Sequence, residues 1–303
     1  MTSLQASEPG GGNWISRLST IARMIAQRLR RLAGTPLLAI ALATLACSLL
    51  FRLAPGLDLW ISGLFYVEGV GFPLRSVKAL DVLRDVGSVL PVLTGSLGAL
   101  GLLLYVAFPR RPLCGAAPRL LLLLAVMQVL GPGLLVNAIT KPLFERPRPN
   151  QIVEFGGSHT YVPVWEIGEA CTVRCASFLS GEAAGAATLL TLVLLVPPLW
   201  RGPAAWALGG LAAAVSVNRV LFGAHFASDV LISFGIVSML VLVAHRALAL
   251  APPPRFSDAA IERTLRNAGL ALRRLIRAGR DRAAARLAEA VRALPRTWPR
   301  LRA

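Results

Sequence analysis

Apolar residues in this chain gather into long unbroken runs instead of alternating with polar ones. Six runs, uncharged or nearly so, cover 34–51, 86–108, 119–139, 181–200, 203–222 and 230–250. Each is close to the roughly 20 residues that a helix needs to cross a bilayer. Membrane β-strands would alternate apolar and polar positions over segments of about 10 residues, and no segment here does so. The predicted fold is therefore all-α: a polytopic bundle of six transmembrane helices over 34–250. Pro36, Pro91, Pro132 and Gly133 fall inside these runs, where neighbouring helices can re-satisfy the backbone groups they free.

Outside the bundle the pattern becomes amphipathic. In the N-terminal segment, 1–33, Trp14, Leu18, Ile21 and Ile25 recur at helical spacing among arginines. In the tail, 251–303, Ile261, Leu265, Leu272 and Ile276 form a similar stripe, which Gly279 interrupts before Leu287 and Val291 resume it. Basic amphipathic segments of this kind suit an anionic leaflet, the alternative for the tail being a solvated arginine-rich extension. Between the first two runs, Asp58–Tyr66 and Leu74–Asp85 have the spacing and aromatics of interfacial helix, with packing filler as the alternative.

Composition agrees with a membrane protein. The 303 residues are 55% hydrophobic and only 16% charged, with a mean hydropathy of +0.63. A formal charge of +17 could mark a nucleic-acid binder, but its distribution argues otherwise. The arginines at 17, 23, 28, 30, 31, 110, 111, 119 and 201, and the series from Arg246 to Arg302, all fall on one side of the six spans. By the positive-inside rule both termini are then cytoplasmic, as expected for a multi-pass bacterial inner-membrane protein. Four cysteines and three histidines leave no zinc pattern and no multi-histidine centre, so no metal or cofactor is expected.

The charges on the opposite, periplasmic face carry the chemistry. They form three clusters: Lys141 to Arg146, Arg148 and Pro149; Ser177 to Ser180, Gly181 and Glu182; and Asn218 and Arg219 to His225 and Asp229. Lys141, Arg148 and Arg219 are three cations, two of them planar forks matched to tetrahedral oxyanions. Ser180 and Gly181, opening a helix, offer a hydroxyl and free N–H groups where the dipole favours an anion. His225 and Asp229, four apart, share a helix face, so the carboxylate can orient the imidazole. A His–Asp pair beside a cationic cradle suffices for metal-free phosphoryl transfer through a phosphohistidine.

Together these clusters resemble the tripartite signature of the type-2 phosphatidic acid phosphatase (lipid phosphate phosphatase) superfamily: Lys-x6-Arg-Pro, then Pro-Ser-Gly-His, then Ser-Arg-x5-His-x3-Asp. Lys141, Arg148 and Pro149 complete the first element, and Arg219, His225 and Asp229 fit the third. The resemblance implies a membrane lipid phosphatase acting on a lipid phosphate monoester or diphosphate, such as phosphatidic acid, phosphatidylglycerol phosphate, undecaprenyl diphosphate or a lipid A phosphate. It implies that Lys141, Arg148, Ser180, Gly181 and Arg219 bind phosphate, His225 attacks and Asp229 orients it.

Two positions depart from the signature. Asn218 replaces a serine and keeps a hydrogen-bond donor. Glu182 replaces the histidine that, in the family, protonates the leaving group. This makes Glu182 the candidate acid and His159 its substitute, while Arg146 is expected to be structural or to touch the headgroup. Cys171 and Cys175 sit in the same loop, where a disulfide or two separate thiols are both open. Two other classes fit the same residues: a lipid phosphotransferase, and a non-catalytic binder or transporter of anionic lipids.

Overall fold

The computed structural model describes residues 36–109, 117–168, 175–250 and 252–293. The N-terminal amphipathic segment and Cys171 lie outside them. Helices α1 (Pro36–Leu53), α2 (Gly56–Gly63) and α3 (Lys78–Ala107) come first. Helix α4 (Pro118–Gln128) continues as a π-helix over Val129–Thr140 and ends in an α-turn, Lys141–Phe144. Then follow α5 (Gly181–Thr188), α6 (Arg201–Leu221), α7 (Ala227–His245) and α8 (Asp258–Ala293). Among the described residues the β-structure amounts to two isolated bridges, Val67–Gly71 and Ile152–His159.

Five helical stretches are long and apolar enough to cross a membrane: Pro36–Leu53, Lys78–Ala107, Pro118–Gln151, Pro198–Leu221 and Ala227–Leu248. The run expected to span 181–200 is instead a shorter apolar helix, Gly181–Leu195. Its second half is 3₁₀, and Val196 is extended (φ −87°, ψ 140°) because it precedes a proline. Residues 78–85, read from sequence as interfacial, are the first turns of α3. The π-helical stretch contains Pro132 and Gly133, where loss of a backbone donor disturbs the regular helix ladder.

Helix α5 is the centre of the bundle. Ala183, Ala184, Gly185, Ala186, Ala187 and Thr188 are all buried, and α3, α4, α6 and α7 pack around them. Small side chains let backbones approach closely where lipid provides no hydrophobic drive for helices to associate. The α3–α4 contact works the same way, since a Cβ on Gly98 would lie 2.7 Å from the Leu121 carbonyl oxygen. On the outside, Leu42, Leu45 and Leu49 of α1 and Leu93, Leu97 and Leu100 of α3 are exposed. Apolar surface this extensive marks a face made for lipid.

Helix α8 runs unbroken through Gly279, the point where its apolar stripe is interrupted. Its first half docks on the ends of α3 and α4. Asp258 pairs with Arg119 at 3.3 Å, Arg266 donates to the Pro109 carbonyl at 2.6 Å, and Arg273 donates to the Ala107 carbonyl at 2.5 Å. These arginines satisfy carbonyls at and just beyond a helix C-terminus, where cations are favoured.

Candidate active site

Chain direction at the end of α4 sets the first cluster. Glu145 adopts a left-handed conformation (φ 41°) that stops the helix, and Arg148 is extended (φ −83°, ψ 158°). Lys141, on the last turn, donates to Asn137 Oδ1 at 2.9 Å. Its ammonium lies over the start of α5: a Cβ on Gly181 would sit 3.4 Å from Nζ. The Gly181 amide is among the first helical N–H groups that lack an intrahelical acceptor.

Ser180 behaves differently from the expectation. It is fully buried, its Oγ accepts the Ala183 N–H at 3.4 Å, and its carbonyl accepts Ser233 Oγ at 2.7 Å. The hydroxyl is engaged as the N-cap of α5.

Glu182 joins the second and third clusters. One carboxylate oxygen is 3.4 Å from Arg219 Nη2, and the other is 3.4 Å from His225 Nε2. The imidazole is fixed from behind, with Nδ1 at 2.8 Å from the Ser177 carbonyl oxygen. If Nδ1–H donates there, the Nε2 lone pair faces Glu182 and the cradle. Asp229 is 3.9 Å from Nδ1, so the backbone of Ser177 is the closer orienting acceptor. Asp229 is committed elsewhere: it accepts from Arg146 Nη1 at 2.5 Å, from Ser177 Oγ, and from the Phe226 N–H at 2.9 Å. The last contact caps α7.

Three guanidinium nitrogens next to this group, Arg148 Nε and Arg219 Nε and Nη1, are buried without a hydrogen-bond partner among the described residues. Buried donors are rarely left unsatisfied, and unpaired charged ones are costlier still. Arg148, Arg84 and Arg75 lie near enough to act electrostatically on Arg219. Arg75 and Arg84 are contributions that sequence reasoning did not assign. They lie far from the motifs in the chain, and Arg84 is paired with Asp81 and Asp85 at 3.1 and 2.8 Å.

Behind the cradle, Arg146 is buried to 1% exposure. Its fork reaches Asp229 on one side and Asp58 Oδ2 (2.9 Å) on the other, with further bonds to the Val162 carbonyl (2.8 Å), Ser228 Oγ (2.9 Å) and Tyr161 Oη (3.3 Å). Asp58, from α2, was missed; it also accepts the Ser228 N–H at 3.0 Å. Burial pushes the Asp58 carboxyl above its ordinary pKa, against the pull of Arg146, and burial likewise raises the Tyr161 phenol. A carboxylate in an apolar segment was itself the available signal, because such a group needs a buried cation.

The remaining expected residues are placed as follows. Asn218 spends its donor on the Leu80 carbonyl of α3 (2.9 Å), tying α6 to α3. His159 lines a polar cavity of about 390 Å³ with Ser158, Thr160 and Glu166, whose walls include neither Glu182 nor His225. Cys175 is disulfide-bonded, and Cys171 lies outside the described residues.

Residues from α4, α5, α6 and the turn before α7 thus gather cations, a carboxylate and a histidine at one place in the bundle. A family model described as the PAP2 superfamily matches residues 119–251, which contain all three clusters. Relatives include the lipid A 4'-phosphatase of Rhizobium leguminosarum, 34% identical over 65% of this chain and 89% of that protein. The enzyme of the same name from a Rhizobium etli strain is 35% identical over 64% of this chain and 79% of its own length. That of Francisella tularensis subsp. novicida is 32% identical over 35% and 48% respectively. No solved structure matches the chain. The chain belongs to the PAP2 superfamily and is a multi-pass membrane lipid phosphatase, a phosphoric ester hydrolase.

Proposed function

We propose that this protein removes a phosphate monoester from a lipid headgroup, the 4'-phosphate of lipid A being the first substrate to test, through a phosphohistidine on His225. The observation that carries this reading is the set of buried guanidinium nitrogens of Arg148 and Arg219 that lack a partner among the described residues, Arg219 and His225 both lying 3.4 Å from Glu182. A phosphoryl group there satisfies all of them and draws further charge from Lys141. Three cations and a helix N-terminus supply the transition-state stabilisation a metal would otherwise provide, so no divalent ion is needed.

The chemistry follows from the His225–Glu182 contact. In the resting site the Glu182 carboxyl faces Nε2 at 3.4 Å, and this reading has one proton pass between them. Substrate phosphate displaces Glu182, which retains the proton and leaves Nε2 free to attack phosphorus. The bond from phosphorus to the lipid oxygen breaks, and Glu182 protonates that oxygen. Water then attacks phosphorus, its proton returns to Glu182, and the P–N bond breaks to release inorganic phosphate. The Ser177 carbonyl holds Nδ1–H throughout, and Asp229 supports it from 3.9 Å.

In this reading the site faces the periplasm, both termini are cytoplasmic, and the arginines of α8 meet anionic lipid of the inner leaflet. The test is phosphate release by purified protein from lipid A and from phosphatidic acid, with and without EDTA. Release from lipid A that survives EDTA and vanishes in His225→Ala is expected. Dependence on added Mg²⁺, or unchanged release in His225→Ala, would contradict it.

A further inference from the structure

Beside the phosphate cradle, an apolar cavity of about 450 Å³ opens between α2, α6 and α7. Ile61 and Phe65, from α2 and the turn after it, close one side. Val220 and Ala213 of α6 and Val230 and Phe234 of α7 form the rest of the wall that matters here. The cavity flanks the site, its wall residues adjoining site residues in the chain. Val220 follows Arg219, Val230 follows Asp229, and both pack on Ala183, the neighbour of Glu182. From Val220 to Ala213 the groove runs along α6 for about 10 Å, away from the phosphate level and into the apolar zone.

We propose that this groove holds one acyl chain of the phosphorylated lipid while its headgroup phosphate sits at Arg219 and His225. The proposal rests on the lipid phosphatase reading and deepens it by naming where the substrate's tail lies. Its occupant is set by position. A ligand that reaches both the groove and the cradle carries a phosphate at one end and hydrocarbon directly beneath it. The groove's aliphatic and aromatic walls suit hydrocarbon, and its volume of about 450 Å³ is of the order of one acyl chain. Binding energy gathered along the chain then positions the ester oxygen in line with Nε2, so the tail contributes to the rate and not only to binding.

The test fills the far end of the groove and leaves the cradle alone. Ala213 is exposed on α6, about 10 Å from the phosphate level, so Ala213→Trp projects into the groove without touching Arg219. Rates are measured on lipid A and on the same phosphorylated disaccharide stripped of its acyl chains. Leu97→Trp, on the exposed face of α3, serves as the control for a bulky residue facing lipid. The expected result is a loss in kcat/KM of about tenfold or more on lipid A, the penalty typical of one or two displaced methylenes. The deacylated substrate and Leu97→Trp should keep wild-type rates, which also reports that the variant folds. Equal rates of Ala213→Trp and wild type on lipid A, or parallel losses on both substrates, would overturn the groove while leaving the phosphatase reading intact. Wild-type protein silent on both substrates would overturn both.

Discussion

Replacing Arg146 by Met removes the cation that two buried carboxylates share. Arg146 is exposed to 1%, and Asp58 and Asp229 to 0%, so solvent cannot screen what is left behind. Breaking a buried pair from one side typically costs about 3–5 kcal/mol, because the remaining charge has lost its partner. Here two carboxylates are orphaned, together with the carbonyl of Val162. Part of this cost is avoided if the carboxyls take up protons, and Asp58 is already pushed that way by burial. We therefore expect about 4 kcal/mol of lost stability, seen as a fall of about 10 °C in the melting temperature of the detergent-solubilised protein. The pH dependence has a fixed sign. Without Arg146 the folded-state carboxyl pKa lies above its unfolded value. The variant's relative stability is then fullest below the unfolded carboxylate pKa and is lost as pH rises through the folded one. A double-mutant cycle isolates the coupling: Asp58→Asn in the Arg146→Met background should cost less than it does in wild type. Additive effects, or an Arg146→Met melt within about 1 kcal/mol of wild type, would refute the idea that Arg146 is the buried brace of the site.

Glu182→Gln keeps size and hydrogen bonding but removes the proton carrier, so turnover should fall by about 10²–10⁴-fold with substrate binding retained. Near-wild-type turnover would leave Glu182 a mere contact of Arg219 and would turn attention to His159. Arg219→Lys keeps the charge but loses the fork that supplies two unpartnered nitrogens. A fall of about 10–100-fold in kcat/KM is expected, from one or two charged hydrogen bonds, and full activity would show that these donors do not meet substrate. For topology, thiol labelling from outside intact cells should reach Ser158→Cys in the exposed loop and not Ala284→Cys on α8. The opposite pattern would invert the membrane orientation.

The bundle and its cradle were legible because membrane spans and phosphate chemistry both leave short-range marks. Apolar runs give the helices, and fixed spacings such as Lys141 to Arg148 and His225 to Asp229 give the candidate cations and the candidate nucleophile. What sequence could not give was the partner of each polar atom. Asp229 looked like the orienting acid for His225 because the two are four residues apart, yet its oxygens are taken by Arg146, Ser177 and the N-terminus of α7. The nearer acceptor is a backbone carbonyl 48 positions away, which side-chain spacing cannot reveal. Asp58 lies 88 positions from Arg146 and was hidden for the same reason. The short α5 was overlooked because hydropathy alone does not register that Val196 must extend before Pro197. Ser180 was read as a phosphate ligand because a cap and a ligand have the same sequence signature.

The phosphohistidine is the central claim, and trapping it is the direct measurement. Purified protein is mixed briefly with lipid A carrying a radiolabelled 4'-phosphate and quenched in base, where phosphohistidine survives. The account requires label on the protein that is lost in acid, maps to the peptide containing His225 and is absent from His225→Ala. Phosphate release at full rate with no labelled protein, or label on any residue other than His225, would contradict it.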